Sequence, residues 1–234
     1  MEIAIWSDYV CPFCYIGKRR MERALQETGF AQQATIQLKS YQLDASTPEV
    51  VTESVYESLA RKYGTSIEQA KAMSANVVEQ AKTENLHYNM EDAKPANTAR
   101  AHRLVKWADT QGKGNELGEE LLNAYFIEAK NINDVDVLAD LAVATGLDRE
   151  GALEVLESNK FFPEVQIDQT EASQIGVRGV PFFVLNNKYA ISGAQPIEVF
   201  KEALQKVAEE EGIKPTLQTI GGQGAACDGD VCDV

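Results

Sequence analysis

The feature that most constrains this chain is a pair of cysteines, Cys11 and Cys14, in the stretch WSDYVCPFCYIG. The apolar, β-branched run EIAIWSD comes just before the pair and predicts a strand. Pro12 suits the first turn of a helix and Gly29 can end one, so we expect a helix from Pro12 to about Glu27. Two cysteines at this spacing between a strand and a helix favour a redox-active dithiol over a metal site or a locked disulfide.

The position of Cys11 before the first helical turn has a chemical consequence. Unpaired backbone N–H groups and the positive end of the helix dipole favour a thiolate there, so we expect a depressed pKa and a nucleophilic Cys11. Cys14, one turn further on, should be less exposed and placed to attack a mixed disulfide on Cys11. Pro12 fixes the turn and Phe13 shields the site without adding charge, which makes both candidate substrate-binding residues.

A zinc site is the main alternative for the cysteine pair. Zinc is generally bound by four ligands, and a second pair of Cys or His would have to come from elsewhere in the fold. The two histidines, His87 and His102, lie in the middle of the chain, and the other two cysteines lie more than two hundred residues away. We therefore expect no metal ligands and no bound cofactor.

The rest of the chain predicts an interrupted α/β domain. Residues 34–43 alternate apolar and polar side chains and predict a second strand, and a long helical block follows. Ser66 and Gln69 form one capping-box signal within that block. Late in the chain, VPFFVLNNKYAISG predicts a hairpin around Asn186 and Asn187, followed by a helix. The order strand, helix, strand, then hairpin and helix is that of a thioredoxin-like fold with a large all-helical insertion.

This order also predicts boundaries. The thioredoxin-like domain is expected to comprise residues 1–50 and 165–213, and the helical insertion residues 51–164. The remaining stretch, residues 214–234, is rich in Gly and Asp and has no helical period, so we expect a flexible tail.

A Val180–Pro181 pair directly precedes the late strand. In a thioredoxin-like order, this is where a cis-proline loop faces the two cysteines. A cis bond would turn the backbone of Val180 outward, so that its N–H and C=O can pair with an extended peptide. The alternative is an ordinary proline at the start of a strand.

Charge narrows the classes of partner. The formal net charge of −14 repels phosphate backbones and anionic lipids, so we expect neither nucleic-acid nor membrane-surface binding. No apolar run is long enough to span a bilayer. The first residues, MEIAIWSDYV, have no signal-peptide pattern, which leads us to expect a cytoplasmic protein. In a reducing compartment, paired cysteines are more often redox-active or metal-binding than structural.

Together these segments resemble the DsbA-like thioredoxin-fold oxidoreductases, in particular the FrnE-like branch. That branch is similar to the 2-hydroxychromene-2-carboxylate isomerases and the kappa-class glutathione transferases. The resemblance covers nearly the whole chain, through SDYVCPFCYIGKRRME, KPANTARAHRLVKWA, LLNAYFIEAKNINDVDVLADLA and GVRGVPFFVLNNKYAISGAQP.

The resemblance implies roles for individual residues. Cys11 would be the attacking thiol, Cys14 the resolving thiol and Pro181 the cis-proline. The segment with Asn97, Arg100 and His102 faces the active site in such proteins, so Asn97 and His102 are further candidate substrate contacts. A histidine bonded to a backbone carbonyl is an equally good interpretation of His102.

The resemblance also implies an accessory redox pair, because the branch has two cysteines near the C-terminus, as Cys227 and Cys232 are here. A glycine-containing loop between them can close as a disulfide. The twelve residue steps from Pro215 to Cys227 give a flexible chain about 19 Å of reach, enough to approach the Cys11 site. Electron transfer to or from Cys11–Cys14 is one role; capping the groove, no catalytic role and weak metal binding are the alternatives.

The predicted function is thiol–disulfide oxidoreduction of protein or peptide substrates without a bound cofactor. One alternative is a glutathione-dependent isomerase or transferase, in which glutathione is a co-substrate. The isomerase relatives carry serine at the position of Cys11, so the presence of both cysteines favours dithiol chemistry. Another alternative is a peptide-binding module that works without either thiol.

Overall fold

The computed structural model describes residues 1–216 and the backbone of residues 227–228 and 231–232. The strands of the main sheet are β1 (Glu2–Ser7), β2 (Thr35–Ser40), β3 (Phe182–Leu185) and β4 (Tyr189–Ser192). The helices are α1 (Pro12–Thr28), α2 (Val55–Tyr63), α3 (Ile67–Lys82), α4 (Ala99–Asp109), α5 (Gly114–Phe126), α6 (Val135–Ala144), α7 (Arg149–Leu156), α8 (Phe162–Gln174) and α9 (Ile197–Glu211).

The four strands form one mixed sheet in the order β2-β1-β3-β4. The central strand β1 pairs parallel with β2 and antiparallel with β3, and β3 pairs antiparallel with β4. Asn186 and Asn187 both have positive φ, which a two-residue hairpin turn requires and which asparagine tolerates. The predicted hairpin therefore lies where the sequence places it.

The side chains of β1 alternate between the two faces of the sheet, as a strand covered on both sides requires. Ile3 and Ile5 pack into the core under α1 and α9, together with Phe183 of β3. Trp6 points the other way and packs under α8, where its indole N–H donates to the carbonyl of Asp168 at 2.9 Å. The sheet thus holds the C-terminal end of β1 rigidly, directly before the cysteine pair.

The chain adopts the thioredoxin-like α/β fold with helices inserted between β2 and β3. Those helices share a core of their own, which also takes in Tyr9, Tyr15 and Ile16 from the segment around the cysteine pair. The insertion therefore packs directly against the start of α1. The capping box predicted from the sequence is present: Ser66 accepts from the backbone N–H of Gln69.

Two helices were not expected from the sequence. In α2 only Val55 and Ala60 are buried, so the apolar period is too sparse to detect, although Ser54 and Glu57 form a capping box. In α8, Ile167 is 63% exposed, and the apolar residues define no single face.

The expected tail lies almost entirely outside the described residues. The backbone of Cys227–Asp228 pairs antiparallel with that of Val231–Cys232, which sets Cys227 opposite Cys232. The side chains of both cysteines lie outside the described part of the chain. Residues 217–226, for which we expect flexibility, also lie outside it. In the part that is described, no helix has the length and apolar character needed to cross a membrane.

Candidate active site

Cys11 occupies the N-cap of α1, and Pro12 follows in the first helical turn. Its backbone is extended (φ −93°, ψ 111°), no side chain caps the helix, and the N–H of Cys14 donates to the carbonyl of Cys11 at 3.0 Å. The N–H of Cys11 donates to the carbonyl of Asp8 at 3.1 Å and closes a tight turn at the end of β1. This local geometry places a sulfur at the positive end of a 17-residue helix.

Cys14 lies one turn further along α1 and is the less accessible of the two free thiols. Its exposed fraction is 1%, against 5% for Cys11. Burial raises the pKa of Cys14 well above its usual range, and the hydrogen bond and charge of Cys11 raise it further. Hydrogen bonds from the Ser7 hydroxyl and the Asp8 backbone act in the opposite direction. Cys14 is therefore a neutral thiol at neutral pH while Cys11 is reduced.

The loop before β3 faces Cys11. The Val180–Pro181 peptide bond is cis, and the Cys11 thiol lies 3.5 Å from the carbonyl oxygen of Val180. Among the described residues, no group accepts a hydrogen bond from the N–H of Val180, which is half-buried. Gly17 makes this approach of α1 possible, because a Cβ there would lie 2.9 Å from Pro181 Cγ.

Aromatic side chains wall one side of the pair. The hydroxyl of Tyr88 donates to the carbonyl of Pro12 at 2.7 Å, and its ring stacks on Phe126 at 4.6 Å. Burial raises the pKa of Tyr88, and the neighbouring charge of Cys11 raises it further. Phe13, by contrast, is 37% exposed and lies at the surface between the two cysteines. Sequence reasoning missed Tyr88, because it lies in an irregular segment that has no periodicity to mark it.

His102 occupies a different place from the one expected of a substrate contact. Its side chain is 1% exposed, and its Nε2 atom lies 3.2 Å from the carboxylate of Asp8. The other carboxylate oxygen of Asp8 accepts from the N–H of Leu43 at 2.8 Å. The prediction that His102 contacts a substrate is therefore wrong for this conformation. In the alternative interpretation the histidine binds a backbone carbonyl, whereas its partner here is the carboxylate of Asp8. The buried pair ties α4 to the turn that carries Cys11.

Asn97 and Arg100 brace a loop instead of opening toward a ligand. The amide of Asn97 donates to the carbonyl of Thr47 at 2.6 Å, and its oxygen accepts from the N–H of Ala99. Arg100 pairs with Glu49 at 3.2 Å. Asn97 thus uses its amide within the protein, and this side of the site is held by α4.

The site so assembled is a buried dithiol at a helix N-terminus, next to a backbone segment with an unused donor. Residues 1–216 contain no cluster of three or more His, Cys, Asp or Glu side chains arranged to hold a metal ion. A thiolate in this setting can attack a disulfide, and a second thiol one turn away can resolve the adduct.

Comparisons with known proteins place the chain among relatives of this chemistry. A family model described as a DSBA-like thioredoxin domain matches residues 2–205. A solved structure, titled a probable DsbA oxidoreductase from Streptomyces coelicolor, is 37% identical. The alignment covers 100% of this chain and 99% of that one, with a TM-score of 0.84.

Two more distant structures share the fold. A 2-hydroxychromene-2-carboxylate isomerase is 16% identical with a TM-score of 0.66, covering 91% of this chain and 98% of that one. The cytosolic disulfide reductase DsbM from Pseudomonas aeruginosa is also 16% identical, with a TM-score of 0.59, covering 90% of this chain and 100% of that one. At this identity the similarity establishes the architecture alone.

Proposed function

Since the chain belongs to the family of DSBA-like thioredoxin domains and is a thiol–disulfide oxidoreductase, we propose that Cys11 and Cys14 are its redox dithiol. The observation that carries the proposal is the asymmetry of the pair. Cys11 occupies the N-cap of the helix with its sulfur beside Val180, and Cys14 is buried beneath it as a neutral thiol. The substrates are disulfides and thiols of proteins or peptides.

Reduction of a substrate proceeds in two exchanges. The Cys11 thiolate attacks one sulfur of a substrate disulfide, the substrate S–S bond breaks, and the leaving thiolate takes up a proton. Cys14 then gives up its proton and attacks the sulfur of Cys11 in the mixed disulfide. The second substrate thiol leaves, so the substrate has gained two electrons and the enzyme has lost them in forming the Cys11–Cys14 disulfide. Oxidation of a substrate dithiol is the same sequence in reverse.

The position of Cys14 couples its reactivity to the state of Cys11. The pKa of Cys14 is raised by burial, but also by the hydrogen bond and charge of Cys11. Once Cys11 is bound in a mixed disulfide, its charge is gone and that contribution disappears. The hydrogen bonds from Ser7 and Asp8 remain and favour the Cys14 thiolate. Deprotonation of Cys14, which resolution requires, is therefore easier in the mixed disulfide than in the reduced dithiol.

The free N–H of Val180, with its carbonyl beside Cys11, provides an edge on which an extended peptide can pair. Exposed Phe13 lies on the same helix start and can cover the apolar part of the substrate. Backbone pairing makes no demand on substrate sequence, which suits an enzyme that acts on many polypeptides. In a cytoplasmic setting, which we also propose, the net direction is reduction or shuffling of disulfides.

A trapping experiment tests the proposal. Cys14→Ser protein, expressed in its host, should hold substrate proteins on Cys11 as mixed disulfides that migrate as high-mass bands on non-reducing gels. Cys11→Ser is the matched control, because it keeps one thiol but removes the attacking one, and it should trap nothing. Equal trapping by the two variants, or none by Cys14→Ser, contradicts the assigned roles.

The glutathione-dependent isomerase or transferase remains the competing function, with glutathione as co-substrate. It predicts activity on aromatic electrophiles that survives Cys14→Ser and no reduction of insulin by dithiothreitol. The dithiol proposal predicts insulin reduction that is lost on replacing either cysteine. Running both assays on the wild type, Cys11→Ser and Cys14→Ser separates the two functions.

A further inference from the structure

Arg178 differs from every other arginine in the described part of the chain. It lies two residues before Val180, its side chain is exposed, and it forms no ion pair, hydrogen bond or ring contact with a described residue. The seven other arginines all have partners in that part: Arg19, Arg20, Arg23, Arg61, Arg100, Arg103 and Arg149. Arg103 also lacks a carboxylate partner but donates to backbone carbonyls, so among the described arginines Arg178 alone has no partner of either kind.

The position of this free guanidinium would allow it to contact a substrate bound at Val180. Two residues span at most about 7 Å of chain, so the Arg178 backbone lies no further than that from Val180, whose carbonyl is beside Cys11. A substrate strand that pairs with the free N–H of Val180 continues past Arg178. Residues about two positions from the substrate cysteine then come within reach of its long side chain.

Resting on the function proposed above, we infer that Arg178 is a specificity-determining residue that favours polypeptides with an acidic side chain close to the reactive cysteine. Arginine suits this role because its planar guanidinium forms two parallel hydrogen bonds to one carboxylate. The net charge of −14 disfavours acidic substrates, so an unpaired cation two residues from Val180 selects where along an acidic polypeptide the reaction occurs. Glutathione also carries carboxylates near its sulfur, and the experiment must separate it from a polypeptide.

Three synthetic mixed-disulfide peptides, each assayed with dithiothreitol as the reductant that regenerates the dithiol, provide the test. The peptides differ only at the residues two positions before and two positions after the cysteine. Both of these residues are Glu in the first peptide, Gln in the second and Lys in the third. Wild-type protein should reduce the Glu peptide about two- to fivefold faster in kcat/KM than the Gln peptide, the usual size of an exposed ion pair. High salt should reduce this preference, because exposed charges are screened.

Variants assign the preference to one residue. Arg178→Gln should remove it, and Arg178→Glu should reverse it in favour of the Lys peptide. Arg149→Gln is the matched control, since it removes the same charge from α7, where Arg149 pairs with Asp136 and Asp140, and should keep the wild-type preference. An Arg178→Glu protein that still prefers the Glu peptide overturns the inference.

Glutathione disulfide is the separate arm. If the Arg178 variants slow its reduction but leave the peptide ratios unchanged, the residue serves a tripeptide and the inference for polypeptides is wrong. If wild-type protein reduces none of the peptides, the proposed function fails and the inference fails with it. If wild-type protein turns over all three peptides at equal rates, the inference about Arg178 is wrong but the proposed function stands.

Discussion

At the scale of single residues, the two cysteines of one motif have opposite environments. Cys11 is held by the turn that ends β1, and Cys14 is sealed beneath it at 1% exposure. Sequence spacing predicts which cysteine comes first on the helix. The raised pKa of Cys14 depends on its burial and on its hydrogen bond to Cys11, which no local pattern shows.

Alkylation should reveal this difference. In the reduced native protein, iodoacetamide at pH 7 to 8 is expected to modify Cys11 and to leave Cys14 unmodified, because Cys14 is both buried and held as a neutral thiol. Peptide mass spectrometry measures the extent at each position. Alkylation in denaturant serves as the control, where both should react alike. Native-state modification of Cys14 at the rate of Cys11 is incompatible with the asymmetry described.

The other residue-scale finding is the buried Asp8–His102 pair. The sequence marks His102 only as a histidine in a segment that resembles one near an active site. The structure shows that its ring is 1% exposed and bonded to the carboxylate of the residue that closes the Cys11 turn. Burying a carboxylate requires partners, and Leu43 N–H and His102 supply them. His102 therefore positions the turn through Asp8.

At the scale of elements, the site depends on how closely α1 approaches the loop before β3. A residue without a Cβ stands at the contact: the missing atom of Gly17 would lie 2.9 Å from Pro181 Cγ and 3.1 Å from Phe183 Cζ. Two further ties hold α1 on its other side, where Glu119 of α5 pairs with Lys18 at 2.5 Å and accepts from the Tyr15 hydroxyl at 2.7 Å. The helix that carries both cysteines is therefore fixed from both sides.

Gly17→Ala should damage this contact. Alanine improves helix propensity by about 1 kcal/mol, whereas overpacking against buried rings costs about 1–3 kcal/mol. We expect a net loss of about 1 kcal/mol in the free energy of unfolding, measured in urea, and a several-fold fall in insulin reduction as Pro181 is displaced.

Gly179→Ala is the matched stability control, because a Cβ there meets no atom within 4 Å. Its free energy of unfolding should stay the same or rise slightly, since alanine lowers the entropy of the unfolded chain. A Gly17→Ala protein more stable than wild type would show that the helix can move away without cost.

At the scale of the whole molecule, the helical insertion and the thioredoxin-like sheet build one site between them. The insertion contributes Tyr88 and His102, the turn after β1 contributes Asp8, and the loop before β3 contributes Val180. The proposed domain boundary at residue 165 falls inside α8, which packs on β2 and on the Trp6 face of the sheet. The insertion is therefore part of the active-site architecture.

The proposed accessory pair belongs to this scale as well. If Cys227 and Cys232 pass electrons to or from the Cys11–Cys14 dithiol, a Cys227→Ser, Cys232→Ser double variant should turn over a disulfide substrate several-fold more slowly. Its first turnover, which uses the Cys11–Cys14 dithiol alone, should match that of the wild type. Stopped-flow and steady-state assays separate these two rates. Unchanged steady-state rate and unchanged reduction potential in the variant would remove the proposal.

The sequence by itself determined the local parts: a dithiol at a helix start, a hairpin at Asn186–Asn187 and the thioredoxin-like order of elements. Caps, turns and apolar periods are encoded within a few residues, so they can be recognised without a partner segment. Only the tertiary structure decided how closely Cys11 approaches Val180, 169 positions away, that Asp8 binds His102, and that Arg178 has no partner among the described residues. Such contacts arise from packing of distant elements, which no short pattern specifies.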